Sequence, residues 1–308
     1  MVILILNKEK NEWQQISPEE KATLPPEMKA ETLTISSKLK QKLDFGLKQQ
    51  QNDDDVMVII DGKEGTGKSS LAGEIMRYIT KDTFDPKKDM IGSDYEDALE
   101  KIDNVKKGGC LMFDEGNAFF MSTDTTKKET RELHKIFSIF RQLNLFVIIC
   151  LPSFFRMASY FASDRPKFLC TTYKHNGERG RYCYYGEKRL AKFYAKGRKE
   201  AYNRQAIKPQ FRARFNKCIC LENPEYKKFK LKTLKMAISK ARTATKAGKP
   251  PTPREIESKK IDDIILKNPD KTSEELGKFL GLTGAAIRFR RIKLKKSKDL
   301  QKNDENNT

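Results

Sequence analysis

Histidine is nearly absent from this sequence, with two in 308 residues. That leaves little from which to build a histidine-bound zinc site. Six cysteines, Cys110, Cys150, Cys170, Cys183, Cys218 and Cys220, are scattered. Cys218 and Cys220 are two apart, which places both on one face of a strand rather than around a metal. The expectation is six buried, reduced thiols. No apolar run approaches the roughly 18 residues of a membrane span. Met1 to Leu6 is apolar but too short for a signal-peptide core, and no basic leader precedes it, so it reads as a buried or edge strand. A cytoplasmic protein without a membrane span is expected.

Acidic residues are also in short supply. Lys and Arg total 62 against 42 Asp and Glu, a net charge of +20. A surplus of that size suggests a polyanionic partner, most often nucleic acid. Hydrophobic residues make up 37% of the chain and charged residues 34%, which is polar but ample for a packed core in two domains.

What is present is organised around Val56 to Ser70, VMVIIDGKEGTGKSS. An apolar run of strand length leads into Gly62-Lys63-Glu64-Gly65-Thr66-Gly67-Lys68-Ser69, followed by Ser70, which fits the P-loop pattern GxxxxGK[ST]. The chemistry dictates these residue types. A buried strand must turn sharply into a helix while its N–H groups point at phosphate oxygens, and glycine permits that backbone. Lys68 reaches for β- and γ-phosphates, and the Ser69 hydroxyl takes a Mg²⁺ position. The helix behind them aims its positive end at the anion. ATP and Mg²⁺ are the expected cofactors.

Further along, Gly108 to Glu115 reads GGCLMFDE. Four apolar residues ending in Asp-Glu fit Walker B, a buried strand that delivers carboxylates beside the P-loop. Asp114 would hold Mg²⁺ through water, and Glu115 would polarise the attacking water. A polar Ser122–Lys128 loop and an amphipathic helix over Lys128–Arg141 are expected next. Leu145 to Leu151, LFVIICL, then reads as a strand buried on both faces.

These residues together resemble the P-loop ATPases that use a catalytic glutamate. Within them, Val56 to Tyr173 resembles the FtsK–HerA group of DNA pumps and the Zot-like ATPases of phages, plasmids and archaea. The resemblance implies a mostly parallel RecA-like sheet, a ring of subunits, and other proteins of the same mobile element as partners. The location implied is then the host cytoplasm. It also implies an arginine before the last strand that reaches into the neighbouring subunit's site, and Arg141 matches that place; Arg131, Arg156 and Arg165 are other candidates. The family ends the strand in a polar sensor, usually Gln. Here Pro152 and Ser153 stand there, a departure from the pattern.

From Lys167 the texture changes. Two strand-like runs flank His175-Asn176-Gly177-Glu178-Arg179-Gly180, a hairpin signal. Basic residues there interleave with Tyr182, Tyr184, Tyr185, Phe193 and Tyr194. That mixture suits single-stranded nucleic acid, and equally the core face of the hairpin. A helix is expected over Tyr226–Thr245. Residues 247–253, AGKPPTP, form a stiff linker by composition. Beyond it, Thr272-Ser273-Glu274-Glu275 is a capping box, and a helix follows the Gly281-Leu282-Thr283 turn. This resembles a helix-turn-helix, with Arg288, Arg290, Arg291 and Lys293 on or beside the face toward DNA, double-stranded if the helix enters a major groove. A polar tail closes the chain.

The fold class expected is α/β: a P-loop NTPase with a small all-α domain at the carboxyl end. The expected divisions are a lead-in over 1–55, an ATPase core over 56–166 and a basic elaboration over 167–246. The linker over 247–253, a helix-turn-helix over 254–296 and a tail over 297–308 complete them. The favoured function is ATP hydrolysis coupled to DNA translocation, packaging or remodelling. The alternative is an ATP-controlled DNA-binding switch with slow hydrolysis. A small-molecule kinase would use neither the C-terminal domain nor the +20 charge.

Overall fold

The structure is a computed structural model. It describes residues 1–121, 137, 140–216, 218, 222, 224–246, 253–292 and 294. The chain divides into two compact units, Met1–Ser239 and Lys240–Thr308.

Among the described residues, ten strands lie in the first unit: β1 (Val2–Asn7), β2 (Glu12–Ile16), β3 (Leu33–Ile35), β4 (Val56–Gly62), β5 (Met90–Ile91), β6 (Cys110–Phe113), β7 (Phe146–Leu151), β8 (Pro166–His175), β9 (Glu178–Gly186) and β10 (Phe211–Arg214). A seven-stranded sheet has the order β10-β9-β8-β4-β7-β6-β5. The strands from β8 to β5 pair in parallel, while β9 and β10 are antiparallel additions at one edge. This is a mixed α/β fold with a mostly parallel sheet, compatible with a P-loop NTPase.

Every residue of β4 is buried. A strand covered on both faces needs apolar residues at successive positions rather than alternation, which is what VMVII supplies. Its odd and even residues enter different cores. Met57 and Ile59 join Leu111, Phe113, Val147, Ile149 and Leu169 on one face. Val56, Val58 and Ile60 join Met112, Ile148 and the P-loop helix residues Leu71 and Ile75 on the other. The first face is rich in phenylalanine packed edge to face: Phe113 and Phe120 have ring centres 5.2 Å apart, and Phe120 and Phe137 5.0 Å. That geometry suits the ring quadrupole and adds to the area buried.

The lead-in is more structured than its polar sequence suggests. The strands β1, β2 and β3 form a small antiparallel sheet in the order β2-β1-β3. The indole Nε1 of Trp13 donates to the Tyr78 carbonyl at 2.9 Å, which ties this sheet to the P-loop helix. The lead-in ends in the helix Ser37–Gln51. Its Gln50 amide donates to the carbonyls of Gly108, Gly109 and Asn144, at 3.0, 3.1 and 2.7 Å.

The hairpin expected after Lys167 is β8 and β9, closed by Asn176 and Gly177 at positive φ, 51° and 79°. The structure decides what its aromatic residues do. Tyr182, Tyr184, Tyr185, Phe193 and Tyr194 are all buried in the two cores, so they are packing residues rather than a stacking platform for bases. Cys110, Cys150, Cys170 and Cys183 are free. Burial pushes the thiols of Cys110, Cys150 and Cys170 well above the usual range, which makes them inert. Cys218 departs from expectation: it is disulfide-bonded. The expected loop and helix over 122–141 fall largely outside the described residues. Phe137 is helical and buried, and Phe140–Leu143 is a 3-10 turn.

The second unit contains the helices Pro253–Lys267 and Ser273–Leu280 and a third over 284–292. Ile265, Leu276 and Ile287 form its core. The capping box at Thr272 and Glu275 is made in full, and Gly281 ends the helix at φ 66°. The boundary between units falls inside the long helix Pro224–Lys246, ahead of the stretch read as a linker.

Candidate nucleotide site

The P-loop lies at the carboxyl end of β4 and opens the helix Lys68–Ile79. Gly62 and Gly67 are required there. Gly67 sits at φ 98°, and a Cβ on it would stand 3.0 Å from the Phe215 ring; a Cβ on Gly62 would collide with Thr172. Thr172, at the matching end of β8, holds the loop from behind. Its hydroxyl lies 2.7 Å from that of Thr66 and donates to the Asp61 carbonyl at 3.0 Å. The Thr66 hydroxyl also lies 2.7 Å from the Lys63 carbonyl. Lys63, Glu64 and Gly65 are exposed at the tip, and Ser70 sits half-buried in the first helical turn. Lys68 Nζ donates to the carbonyls of Gly62 and Lys63 at 3.0 and 3.2 Å, so its charge is folded over the mouth of the loop.

The two motifs meet. Ser69 Oγ donates to Asp114 Oδ1 at 2.6 Å, across 45 residues of sequence. Strand order explains this: β7 lies between β4 and β6, and all three end at the same edge. The Asp114 side chain is fully buried, while Glu115 is 43% exposed just beyond it.

A residue that no sequence motif marks completes the cluster. Lys230, on the helix Pro224–Lys246, has its Nζ 2.7 Å from Asp114 Oδ2 and 3.1 Å from Glu115 Oε1. The Asp114 contact is a buried ion pair in which the ammonium is the partner of Oδ2. Burial alone would lower the Lys230 pKa; the Asp114 and Glu115 carboxylates outweigh it and hold the ammonium above its ordinary value. Tyr226, one turn earlier, is buried beside the same group. Burial first, then the Asp114 charge, pushes its hydroxyl up to about 12. The local sequence PEYKKFKLKTLK offers many lysines and no motif. The signal it does carry is register: Tyr226, Phe229, Lys230 and Thr233 recur at i, i+3, i+4 and i+7, one helical face.

Ser69, Asp114 and Glu115 fit a hard divalent cation. All offer oxygen, which is what Mg²⁺ takes, and Asp114 Oδ2 already faces a positive charge, the Lys230 ammonium. Among the described residues no cluster of three or more His, Cys, Asp or Glu is placed to hold a metal alone. A Mg²⁺ ion would therefore share its ligands with nucleotide phosphates.

Arg141 is not brought to this cluster. It is exposed in the 3-10 turn just before β7, at the amino edge of the sheet. The six residues of β7 separate that edge from the P-loop edge, roughly 20 Å at the usual rise per residue. Arg165 is used at the same amino edge, where it pairs with Asp55 and donates to the Phe137 carbonyl at 3.1 Å. The Arg156 guanidinium lies over the Tyr202 ring at 5.8 Å, and Arg131 lies outside the described residues. Where the strand β7 ends, Arg204 donates to the Pro152 carbonyl at 2.7 Å and lies 3.4 Å from the buried Asp61 carboxylate. Arginine thus stands close to the position that lacks the polar sensor.

In the second unit, Arg290 donates to Asp262 at 2.6 Å and Arg291 to the carbonyls of Asn268 and Lys271, at 3.1 and 2.7 Å. Both staple helices to their own unit. Arg288 is exposed, with Glu274 as a surface partner at 3.1 Å. Lys293 lies outside the described residues. Phe289 and Ile292 are 73% and 58% exposed.

No family model and no curated protein matches the chain. Solved structures match part of its fold. One is B204, the DNA-packaging ATPase of Sulfolobus Turreted Icosahedral Virus, at 10% identity and a TM-score of 0.34, over 45% of this chain and 94% of that one. The genome-packaging NTPase B204 of Sulfolobus turreted icosahedral virus 2, in complex with ATP-gammaS, matches at 12% identity and a TM-score of 0.33, over 55% of this chain and 100% of that one. A chain of the E. coli MS115-1 HORMA:CdnC:Trip13 complex matches at 15% identity and 0.34, over 52% of this chain and 67% of that one. At this distance the likeness is one of partial fold, and the chemistry of the site rests on its own residues.

Proposed function

We propose that this protein binds ATP with Mg²⁺ at the P-loop, hydrolyses it, and couples the cycle to work on DNA in a ring of subunits. The observation that carries the reading is the 2.6 Å contact between Ser69 and Asp114, which joins a complete phosphate-binding loop to a buried carboxylate followed by Glu115. Backbone N–H groups of residues 63–69 and Lys68 would hold the phosphates; Ser69 and Asp114 would hold the cation. Bound Mg²⁺ neutralises phosphate charge. Glu115, partly exposed beyond the cation ligands, would orient and deprotonate water. The +20 charge and the exposed Arg288 support a DNA partner through phosphate contacts.

A second reading is a DNA-binding switch that hydrolyses slowly. The contact of Lys230 with Glu115 favours it, because a carboxylate engaged by an ammonium is not free to take a water. ATP turnover with and without double- and single-stranded DNA separates the two. A motor shows DNA-stimulated turnover, and a chain lacking residues 248–308 keeps basal turnover while losing DNA affinity. A switch shows slow, unstimulated turnover with nucleotide-dependent DNA binding.

A further inference from the structure

One charge sits where the proposed chemistry needs a different one. The Lys230 ammonium is in contact with Asp114 Oδ2 and Glu115 Oε1, and Asp114 in turn holds Ser69. These are the groups assigned above to the cation and to water. An ammonium and a divalent cation on one carboxylate oxygen repel each other.

The helix that carries Lys230 is seated narrowly. Tyr226 and Phe229 pack on the second core face. Thr233 lies over Gly92, where an added Cβ would meet Thr233 Oγ1 at 2.7 Å and Phe229 at 3.4 Å. Glu225 pairs with Lys87 at 2.9 Å near the surface, a type of pair that contributes little. A cleft of about 1010 Å³, lined in part by Lys87, Glu100, Lys101, Phe229 and Lys232, runs beneath the same helix. Its outer residues Leu231, Leu234 and Ile238 are exposed. An element with few buried contacts on one side belongs to the part of a fold that opens at low cost.

We infer that Lys230 is a built-in counter-cation of the nucleotide site, and that the helix Pro224–Lys246 is a latch that Mg²⁺–nucleotide must displace. The inference rests on the reading that Ser69 and Asp114 hold the cation. In the latched state Lys230 neutralises Asp114 and occupies Glu115, so the base cannot act on water. With Mg²⁺–ATP bound, Asp114 would serve the cation, Lys230 would withdraw with its helix, and Glu115 would be free to face water. The apparent affinity for Mg²⁺–nucleotide is then lowered by the fraction of molecules that are unlatched.

The test uses the full chain and a fluorescent non-hydrolysable ATP analogue, titrated with Mg²⁺. Lys230→Met is expected to bind the Mg²⁺–analogue at least about tenfold tighter, as removal of a latch closed in about nine molecules of ten requires. Its half-saturating Mg²⁺ concentration should fall, while binding in EDTA changes less. Gly92→Ala alters no charge but crowds Thr233, and should shift binding in the same direction. In the wild type, Mg²⁺–analogue should speed amide exchange across residues 224–239 by at least about tenfold; this measurement needs no variant and stands even if Lys230→Met folds poorly. Unchanged or weaker binding in Lys230→Met, or unchanged exchange in the wild type, overturns the latch. Lys68→Ala distinguishes the two readings. If Lys68→Ala keeps wild-type affinity, the nucleotide site itself is misassigned. If Lys68→Ala loses affinity while wild-type exchange is unchanged, the site stands and the latch alone fails.

Discussion

The two ends of the parallel strands treat charge differently. At the amino edge, acidic side chains are matched for structure. Asp53 accepts from Asn144 at 2.7 Å and pairs with Lys107 at 3.1 Å; Asp54 pairs with Lys167 at 3.0 Å; Asp55 pairs with Arg165. These contacts fasten loops that lie over a hundred residues apart in the case of Asp54 and Asp55. At the carboxyl edge, Asp114 and Glu115 share one lysine on a separate, lightly seated helix. Paired charges between packed elements hold a fold together. Charges compensated by a movable element are available to a ligand. On the proposed function, the acidic run before β4 belongs to the scaffold and the acidic pair after β6 to the chemistry.

The comparison is sharpened most by Arg141, which sits at the amino edge of its own sheet although the family resemblance implies a finger that reaches a neighbour's site. A finger reaching a neighbour's phosphate is worth about 10³–10⁵ in rate. Arg141→Ala should lose turnover on that scale and keep nucleotide affinity. Mixed with Glu115→Gln, it should regain part of the activity in rings where an intact Glu115 faces an intact Arg141. Co-assembly without recovery would return Arg141 to the scaffold side of the comparison.

Glu115→Gln tests the carboxyl edge itself. It keeps size and polarity but loses basicity, so turnover should fall by at least about 10²-fold with binding retained. Near-normal turnover in this variant, alongside loss in Asp114→Ala, would make Glu115 a structural residue.

At the amino edge, Arg165→Met should leave nucleotide affinity unchanged and lower unfolding stability. The expected loss is about 2–3 kcal/mol, somewhat less than for breaking a fully buried pair. Denaturant unfolding and a nucleotide titration on the same variant measure both halves. An affinity change without a stability change would erase the distinction between edges.

The smallest effect concerns the P-loop helix between the edges. Burial, opposed by the charge of Arg77, raises the Glu74 carboxyl from 4.5 to about 7. A raised carboxyl binds its proton more tightly in the folded state. Its stabilising effect is complete below 4.5 and is lost as pH rises toward 7. Glu74→Gln should remove a decline of about 2 kcal/mol across that window, given that one pKa unit is worth about 1.4 kcal/mol and the carboxyl is buried. Thermal melting at pH 5 and pH 7.5 reads the difference; an identical slope in the variant would assign the decline to other groups.

Local sequence was enough for the elements whose signal is local. The all-apolar VMVII and LFVIICL runs became β4 and β7, because a strand covered on both faces has no polar position to alternate. The glycines at 62, 65 and 67, all at positive φ, were legible because glycine adopts such backbone without the strain a side chain brings. The capping box at Thr272 formed as its residue types require. Strand β10 was not legible: FRAR has polar residues at every second position and joins the sheet only because β9 offers an edge.

What tertiary structure alone decided is which of many similar residues meet. Sixty-two lysines and arginines look alike in sequence. Folding places Lys230 against Asp114, Arg165 against Asp55, and Arg290 against Asp262, although these pairs lie 116, 110 and 28 residues apart by their numbering. The interleaved tyrosines of β9 were open to two readings until the sheet buried them. The physical reason is the same in each case. Backbone geometry and periodicity are properties of neighbouring residues, whereas the partner of a charge or a ring depends on which elements the sheet order brings side by side.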